Sequence, residues 1–186
     1  KIIHDIEQFK YLKSKGINQI FFDKLASLYE KLSREITWPS RTEVYSMKKD
    51  YQKSFQGTYN RLLHRPDFSD YAGAAINTAL DAGKITQDYY THSFGLTFFD
   101  NFLNTAALQA LRNHLLESTI WFNVKRGGYL GAYLAEGLAC PVLLKIANEL
   151  PQKFPKIFKG HALKHVWAYK YDNLGQSAGS PATGIN

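Results

Sequence analysis

An alternating pattern of aromatic residues near the end of the chain constrains the fold more than any other sequence feature. In the run VWAYKY, residues 166–171, the aromatic Trp167, Tyr169 and Tyr171 are separated by one residue each. Side chains of a β-strand alternate between its two faces, so this spacing predicts a strand with all three rings on one face. A strand is not stable alone in water, and other segments must therefore pair with it.

The first 36 residues have a helical pattern instead. Apolar residues recur at intervals of three or four in residues 2–15 and again in 18–36, with Gly16 between them. This pattern predicts two amphipathic helices forming a hairpin, with Asp5 and Glu7 on its exposed surface. The predicted apolar faces comprise Ile3, Ile6, Phe9 and Leu12 in the first helix, and Ile20, Phe21, Leu25, Leu28 and Leu32 in the second.

The remainder of the chain changes from irregular to regular. Residues 40–92 have many turn formers and only short apolar clusters, which predicts an irregular wrapping segment with one short helix near 84–91. Beyond it we predict strands at 93–100, 119–124 and 166–171, a glycine-rich connection at 127–137, and helices that begin at Asn104 or Thr105 and near Pro141. This order indicates an α+β protein with an N-terminal region at 1–92 and a second region at 93–186.

Composition and charge narrow the classes of function. The formal charge is +7, from 23 Lys and Arg against 16 Asp and Glu, but the basic residues are scattered, so a nucleic-acid site is not favoured. No apolar run is long enough to span a bilayer, and no signal peptide is recognisable, so we expect a cytoplasmic protein. Cys140 is the only cysteine; it cannot form an internal disulfide, and its apolar neighbours predict a buried thiol.

Motifs for catalysis or metal binding are weak, and we predict no catalytic residue and no metal ligand. The glycines near Gly128 lack the spacing of a dinucleotide loop and indicate a tight turn. His161 and His165 are four residues apart, but His165 begins a strand-like run, so a surface position is favoured over a metal site. His114 falls in a predicted helix and is expected to be partly exposed. The aromatic row, with Trp167 at its start, fits either core packing or the wall of a ligand pocket.

Several blocks together resemble one enzyme family. The blocks DNFL (100–103), GGYLGAYL (127–134), IANEL (146–150) and WAYKYD (167–172), with LEST before Trp121, look like the front part of an Fe(II)- and 2-oxoglutarate-dependent oxygenase. The group is prolyl-hydroxylase-like, and its bacterial members often sit beside tetratricopeptide or sulfotransferase-like regions. The resemblance implies a double-stranded β-helix, or jelly-roll barrel, flanked by helices.

The resemblance also implies a site that this sequence only partly contains. Iron in such enzymes is held by a His-x-Asp pair and a distant His, and neither follows the YKYD strand here. What carries over is the strand itself, which would place Tyr171 and Tyr169 near the 2-oxoglutarate and Trp167 at the substrate. Fe(II) and 2-oxoglutarate are thus implied for a complete protein, and we expect this chain to bind neither.

Two interpretations follow. In the first, the chain is a truncated, N-terminal portion of a hydroxylase-type dioxygenase, inactive as given; a degenerate relative is the variant of this idea. In the second, it is a non-catalytic binding module that uses the aromatic strand face and the basic surface. In either case a strand at 166–171 with an open edge favours pairing with another copy, so we expect a homo-oligomer through this strand.

Overall fold

A computed structural model of the chain describes residues 1–38, 45–68 and 71–171. They form helices and one small antiparallel sheet, which confirms the α+β class. The helices are α1 (Ile2–Ser14), α2 (Gln19–Glu35), α3 (Lys49–Ser54), α4 (Ala82–Thr91), α5 (Thr105–Glu117), α6 (Pro141–Lys153) and α7 (Pro155–Phe158). The strands β1 (Asn123–Lys125), β2 (Tyr129–Tyr133) and β3 (Trp167–Tyr171) lie in the order β1-β2-β3, and a 3-10 turn at Leu134–Glu136 follows β2.

The predicted helical hairpin is confirmed, and aromatic rings fill its core. The ring of Phe9 in α1 lies 5.7 Å from that of Phe22 and 5.1 Å from that of Tyr29, both in α2. Tyr29 is fully buried, and its ring contacts Phe55 at 4.6 Å. The segment after the hairpin supplies its cover, through the partly buried Tyr45, Met47, Tyr51, Tyr59 and Leu63.

Two positions of the predicted apolar faces are wrong. Ile3 and Ile20 are 58% and 73% exposed, and the neighbouring Ile2 and Phe22 are buried in their place. In α2 the interval of three from Phe22 to Leu25 keeps both residues on the face that contacts Phe9, whereas Ile20 lies outside that face. Apolar periodicity alone could not choose between residues one or two positions apart, because all of them are apolar.

The later helices begin where the sequence predicts. The side chain of Asn104 accepts a hydrogen bond from the backbone N–H of Ala107 at 2.8 Å, an N-cap that starts α5. Helix α6 starts at Pro141, whose ring is tolerated in a first turn. The short helix expected near 84–91 is α4.

Helix α6 holds the irregular segment at 71–80 in place. The carboxylate of Glu149 accepts hydrogen bonds from the backbone N–H groups of Ala75 at 2.9 Å and of Ile76 at 2.8 Å. An isolated antiparallel bridge then joins Ile76 to Leu103. These bonds satisfy backbone groups that have no helix or strand to satisfy them.

Two strand predictions are wrong in whole or in part. Residues 93–100 form no strand, and Phe94 and Phe98 are 88% and 89% exposed. A strand needs a neighbour for its backbone hydrogen bonds, and no described segment pairs with this one. Of the predicted strand 119–124 only the last two residues belong to β1, because Ile120 and Trp121 are buried in the core instead.

The glycine-rich connection contains the central strand of the sheet. Of the predicted connection, only Gly127 and Gly128 lie in the turn between β1 and β2, and their φ angles are +91° and +79°. Strand β2, which follows, pairs with both β1 and β3. After β2 the chain passes Gly137, where φ is +104° and an added Cβ would lie 2.8 Å from Cγ2 of Ile120. Glycine is favoured at position 137 for two reasons: the backbone is left-handed there, and a side chain would overlap with Ile120.

Contacts connect the two predicted regions. The side-chain amide of Gln8 in α1 donates hydrogen bonds to the backbone carbonyls of Ser118 at 2.8 Å and of Leu116 at 3.2 Å. The inner face of the sheet contributes Leu130 and Ala132 to a core that also contains Ile120, Trp121 and Leu138. Leu115 of α5 and Leu143 of α6 pack against this core. The division at residue 92 stays a prediction.

Candidate functional site

The outer face of the sheet gathers the predicted site residues. In the β2–β3 register, Tyr129 lies opposite Tyr171 and Tyr133 opposite Trp167. Directly opposed residues of an antiparallel pair point to the same side, so their side chains share one face with that of Tyr169. On this face Trp167 is 54%, Tyr169 41% and Tyr171 66% exposed, which confirms the predicted common face.

The aromatic face, as we call it, consists of Lys125, Tyr129, Tyr133, Trp167, Tyr169 and Tyr171. The sequence analysis missed Tyr129 and Tyr133 because glycines dominate their surroundings. A signal was available, since Tyr129, Gly131 and Tyr133 alternate with the buried Leu130 and Ala132 in the same way as the residues of β3.

Ring contacts order this face. The ring of Tyr129 stacks on that of Tyr171, with centroids 4.9 Å apart and planes at 26°. It also meets the ring of Tyr169 edge to face, with centroids 5.3 Å apart. Such cross-strand aromatic pairs stabilise a sheet by about 0.2–1 kcal/mol each and restrict the rings to few orientations. The face is therefore partly organised before any ligand arrives.

A lysine and two tyrosine hydroxyls form the polar part of the aromatic face. The Nζ atom of Lys125 lies 5.0 Å from the ring centroid of Tyr133. Hydrogen bonding to Lys125 lowers the pKa of the Tyr133 hydroxyl, and hydrogen bonding to Tyr133 raises the pKa of Tyr169. Gly131 leaves room for this group, because a Cβ there would lie 3.2 Å from the Tyr133 ring.

The chemistry of this group suits an anion. The ammonium of Lys125 carries charge, and it and the hydroxyl of Tyr169 both donate to the Tyr133 oxygen, which leaves the O–H of Tyr133 as a further donor. Charged donors bind carboxylates more strongly than neutral ones do.

The inner face of β3 contains a second polar cluster, which the sequence analysis did not find. The Nζ atom of Lys170 lies 3.0 Å from Nε2 of His4 in α1 and 4.8 Å from the ring centroid of Trp121. The Nδ1 atom of His4 lies 3.2 Å from Oδ1 of Asp5, which also accepts a hydrogen bond from Lys1 at 2.6 Å. Asp5 is buried, so its predicted surface position is wrong; Glu7 is exposed as predicted.

Burial governs the protonation of this cluster. It lowers the pKa of Lys170 to about 8 and also lowers the pKa of His4. A neutral His4 that donates Nδ1–H to Asp5 leaves Nε2 free to accept a hydrogen bond from the Lys170 ammonium. The cluster joins α1 to the strand that bears Tyr169 and Tyr171.

The expected partial exposure of His114 is also wrong. This residue is fully buried rather than partly exposed. Its Nε2 atom donates to the carbonyl oxygen of Leu138 at 3.2 Å, and its Nδ1 atom accepts from the hydroxyl of Ser118 at 2.9 Å. The bond to Leu138 places the proton on Nε2, and burial lowers the pKa of the ring, which favours the neutral form with Nδ1 as an acceptor. We assign His114 a structural role between α5 and the segment that precedes α6.

Potential metal ligands do not cluster in the described part of the chain. Within residues 1–38, 45–68 and 71–171, no three side chains of His, Cys, Asp or Glu come together so as to hold an ion. His161 and His165 are both exposed, at the position predicted for them before β3. The described residues therefore do not fit the iron that the resemblance implies, and no oxygen chemistry is assigned to them.

A surface cavity lies away from the aromatic face. It has a volume of about 640 Å³ and lies between residues 65–68 and the start of α6. Cys140 lines it and is buried as predicted, and burial raises the pKa of its thiol. A thiol of raised pKa is a poor nucleophile, so this cavity does not provide a reactive cysteine.

Comparisons with known proteins yield no relative. No family model, no curated protein and no solved structure matches this chain. In the described part of the chain, none of the helices combines the length and the apolar character that crossing a membrane requires.

Proposed function

We propose that the chain is the N-terminal portion of an Fe(II)- and 2-oxoglutarate-dependent dioxygenase of the hydroxylase type, inactive as given because it lacks the family's iron ligands. One structural observation supports this proposal. The antiparallel sheet has Leu115 of α5 and Leu143 of α6 packed against one face, and it presents ordered tyrosines and Lys125 on the other. A barrel of two sheets flanked by helices requires such a two-sided first sheet.

In this proposal the aromatic face lines the interior of the barrel. Tyr169 and Tyr171 lie on the 2-oxoglutarate side and Trp167 on the substrate side. The co-substrate has two carboxylates, and the donors of Lys125 and Tyr133 offer the charge and hydrogen bonds that a carboxylate needs. Fe(II) would be held by residues of the complete protein that are not among these 186.

The test compares the chain alone with the same chain extended by its source reading frame beyond Asn186. We expect no Fe(II)-dependent release of succinate from 2-oxoglutarate by the 186-residue chain, and turnover by the extended protein. In the extended protein, Tyr169→Phe and Lys125→Met should raise the KM for 2-oxoglutarate, whereas Lys164→Met, an exposed lysine before β3, should not. Succinate release by the chain alone, or a continuation without His-x-Asp and a later His, would contradict the proposal.

A second candidate is a non-catalytic binding module. The observation that favours it is the exposure of the aromatic face, where Trp167 is 54% and Tyr171 66% exposed. Exposed, ordered rings are typical of binding surfaces. A stop codon directly after Asn186, together with tryptophan fluorescence that a ligand quenches saturably in the unaltered chain but not in Trp167→Phe, would favour this module over the enzyme portion.

A further inference from the structure

The edge of β3 that faces away from β2, with which none of the described residues pairs, has a defined hydrogen-bonding character. The carbonyl oxygen of Val166 accepts a hydrogen bond at 3.0 Å from the N–H of Leu134, the residue next in register after Tyr133 and Trp167. In an antiparallel ladder such bonded residues alternate with residues whose N–H and C=O point away. The bonded residues are therefore 166, 168 and 170.

It follows that the three aromatic residues of β3 direct their backbone groups outward. The N–H and C=O groups of Trp167, Tyr169 and Tyr171 point away from β2, and no strand of the described residues pairs with that edge. An unpaired edge of this kind is a template for another strand. The same residues also expose their side chains on the aromatic face.

The sequence of β3 is complementary to itself in one antiparallel register. With Tyr169 opposite Tyr169 of a second copy, Trp167 faces Tyr171 and Ala168 faces Lys170, so all five residues pair. In the register shifted by two residues toward the end of β3, Tyr169 of one copy lies opposite Tyr171 of the other, and Lys170 lies opposite Lys170. This register is unfavourable because like charges repel. The opposite shift pairs only three residues of each β3.

We propose that two copies of this chain form a twofold dimer in which their β3 edges pair antiparallel about Tyr169, so that two three-stranded sheets become one. This inference goes beyond the proposed function, since it concerns association of the chain and needs no iron or 2-oxoglutarate. The pairing adds cross-strand aromatic contacts between Trp167 and Tyr171 of opposite copies. Lys170 stays on the inner face, where His4 and Trp121 already contact it.

The edge can be blocked without breaking the existing ladder. Tyr169→Pro removes an N–H that points outward, whereas the N–H groups bonded to β2 belong to its neighbours. The matched control is Tyr169→Val, which loses the same ring and keeps the N–H. Sedimentation equilibrium should show a dimer for the unaltered chain and for the control. The dissociation constant of the dimer should be about tenfold or more higher for Tyr169→Pro than for Tyr169→Val, because each proline copy loses a backbone donor.

Disulfide trapping tests the register independently of the proline variant. Paired residues of this type have Cα atoms about 5.5 Å apart, within reach of a disulfide. Tyr169→Cys should cross-link with itself, whereas Trp167→Cys should cross-link only when mixed with Tyr171→Cys. The unaltered chain serves as control because Cys140 is buried.

Three outcomes would overturn the dimer. The first is an unaltered chain that remains monomeric at every concentration. The second is equal association of Tyr169→Pro and Tyr169→Val, with both folded by circular dichroism. The third is a Tyr169→Cys variant that does not cross-link. None of these bears on succinate release, so failure of the dimer and failure of the proposed enzyme are distinguishable.

Discussion

The Nζ atom of Lys170 in β3 lies 3.0 Å from Nε2 of His4 in α1. This contact fixes the inner side of the strand whose outer side bears Tyr169 and Tyr171. A buried amine next to a buried imidazole is costly, since burial disfavours the charged forms of both. The same strand thus carries this buried pair on one side of the sheet and the aromatic face on the other.

The first prediction concerns the pH dependence that Lys170 produces. Burial lowers its pKa from the usual 10.5 to about 8, so between these values the unfolded chain holds a proton that the folded chain has lost. The free energy of unfolding should therefore rise with pH through this window, and fall as pH returns toward 8. Urea denaturation at several pH values should show a smaller rise in Lys170→Met.

Two comparisons support the interpretation of that experiment. Lys164→Met removes an exposed lysine and should leave the slope unchanged. Burial also lowers the pKa of Lys1, so part of the rise should persist in Lys170→Met. An unchanged slope in Lys170→Met would show that Lys170 does not lose its proton in this window.

The second prediction is that His114 is a structural residue that must be neutral. Its ring donates to the carbonyl of Leu138 and accepts from Ser118, both at buried positions. His114→Ala should lower the free energy of unfolding by about 2–4 kcal/mol, from a cavity and unsatisfied polar groups. His165→Ala, at an exposed position, should change it by less than about 0.5 kcal/mol.

The pH dependence of His114 has a definite sign. Burial lowers its pKa below the usual 6.5, so the unfolded chain takes up a proton first as the pH falls. Stability should be fully present above about pH 6.5 and decrease below it. Chemical denaturation should show a smaller decrease for His114→Gln, although His4 and His64, whose pKa values are also lowered by burial, contribute in the same window.

The third prediction separates backbone strain from steric overlap at two glycines. Gly137 and Gly128 both have positive φ, but an added Cβ meets Ile120 at 2.8 Å in the first case and nothing within 4 Å in the second. Gly128→Ala should cost about 1–2 kcal/mol through the left-handed backbone alone. Gly137→Ala should cost about 1–3 kcal/mol more by thermal denaturation, since the core must move; equal losses would contradict the contact with Ile120.

The fourth prediction addresses the aromatic face directly. Hydrogen bonding to Lys125 lowers the pKa of the Tyr133 hydroxyl, so Lys125→Met should raise that pKa toward its usual value of 10. An NMR titration of the tyrosine ring carbons would measure the change. Arg126→Met, in the exposed turn next to Lys125, is the control and should leave the Tyr133 pKa lower than in Lys125→Met.

Local patterns predicted much of the fold but only part of the candidate site. Helical periodicity and capping located α1, α2, α5 and α6, and alternation placed the three aromatic residues of β3 on one face. The same alternation exists in β2, where glycines obscured it. Lys170 and His4 could not be linked from sequence, because they lie 166 positions apart and neither belongs to a motif.

The sequence by itself determined that α1, α2, α4, α5 and α6 are helical and which side of β3 bears the rings, since these properties depend on neighbours a few residues apart; it did not predict α3, which lies in the segment expected to be irregular. Only the tertiary structure decided that 93–100 forms no strand and that Tyr129–Tyr133 is the central strand of the sheet. It also decided that His114 and Asp5 are buried. The physical reason is that ladder pairing and burial depend on partners distant in sequence, which periodicity does not reveal.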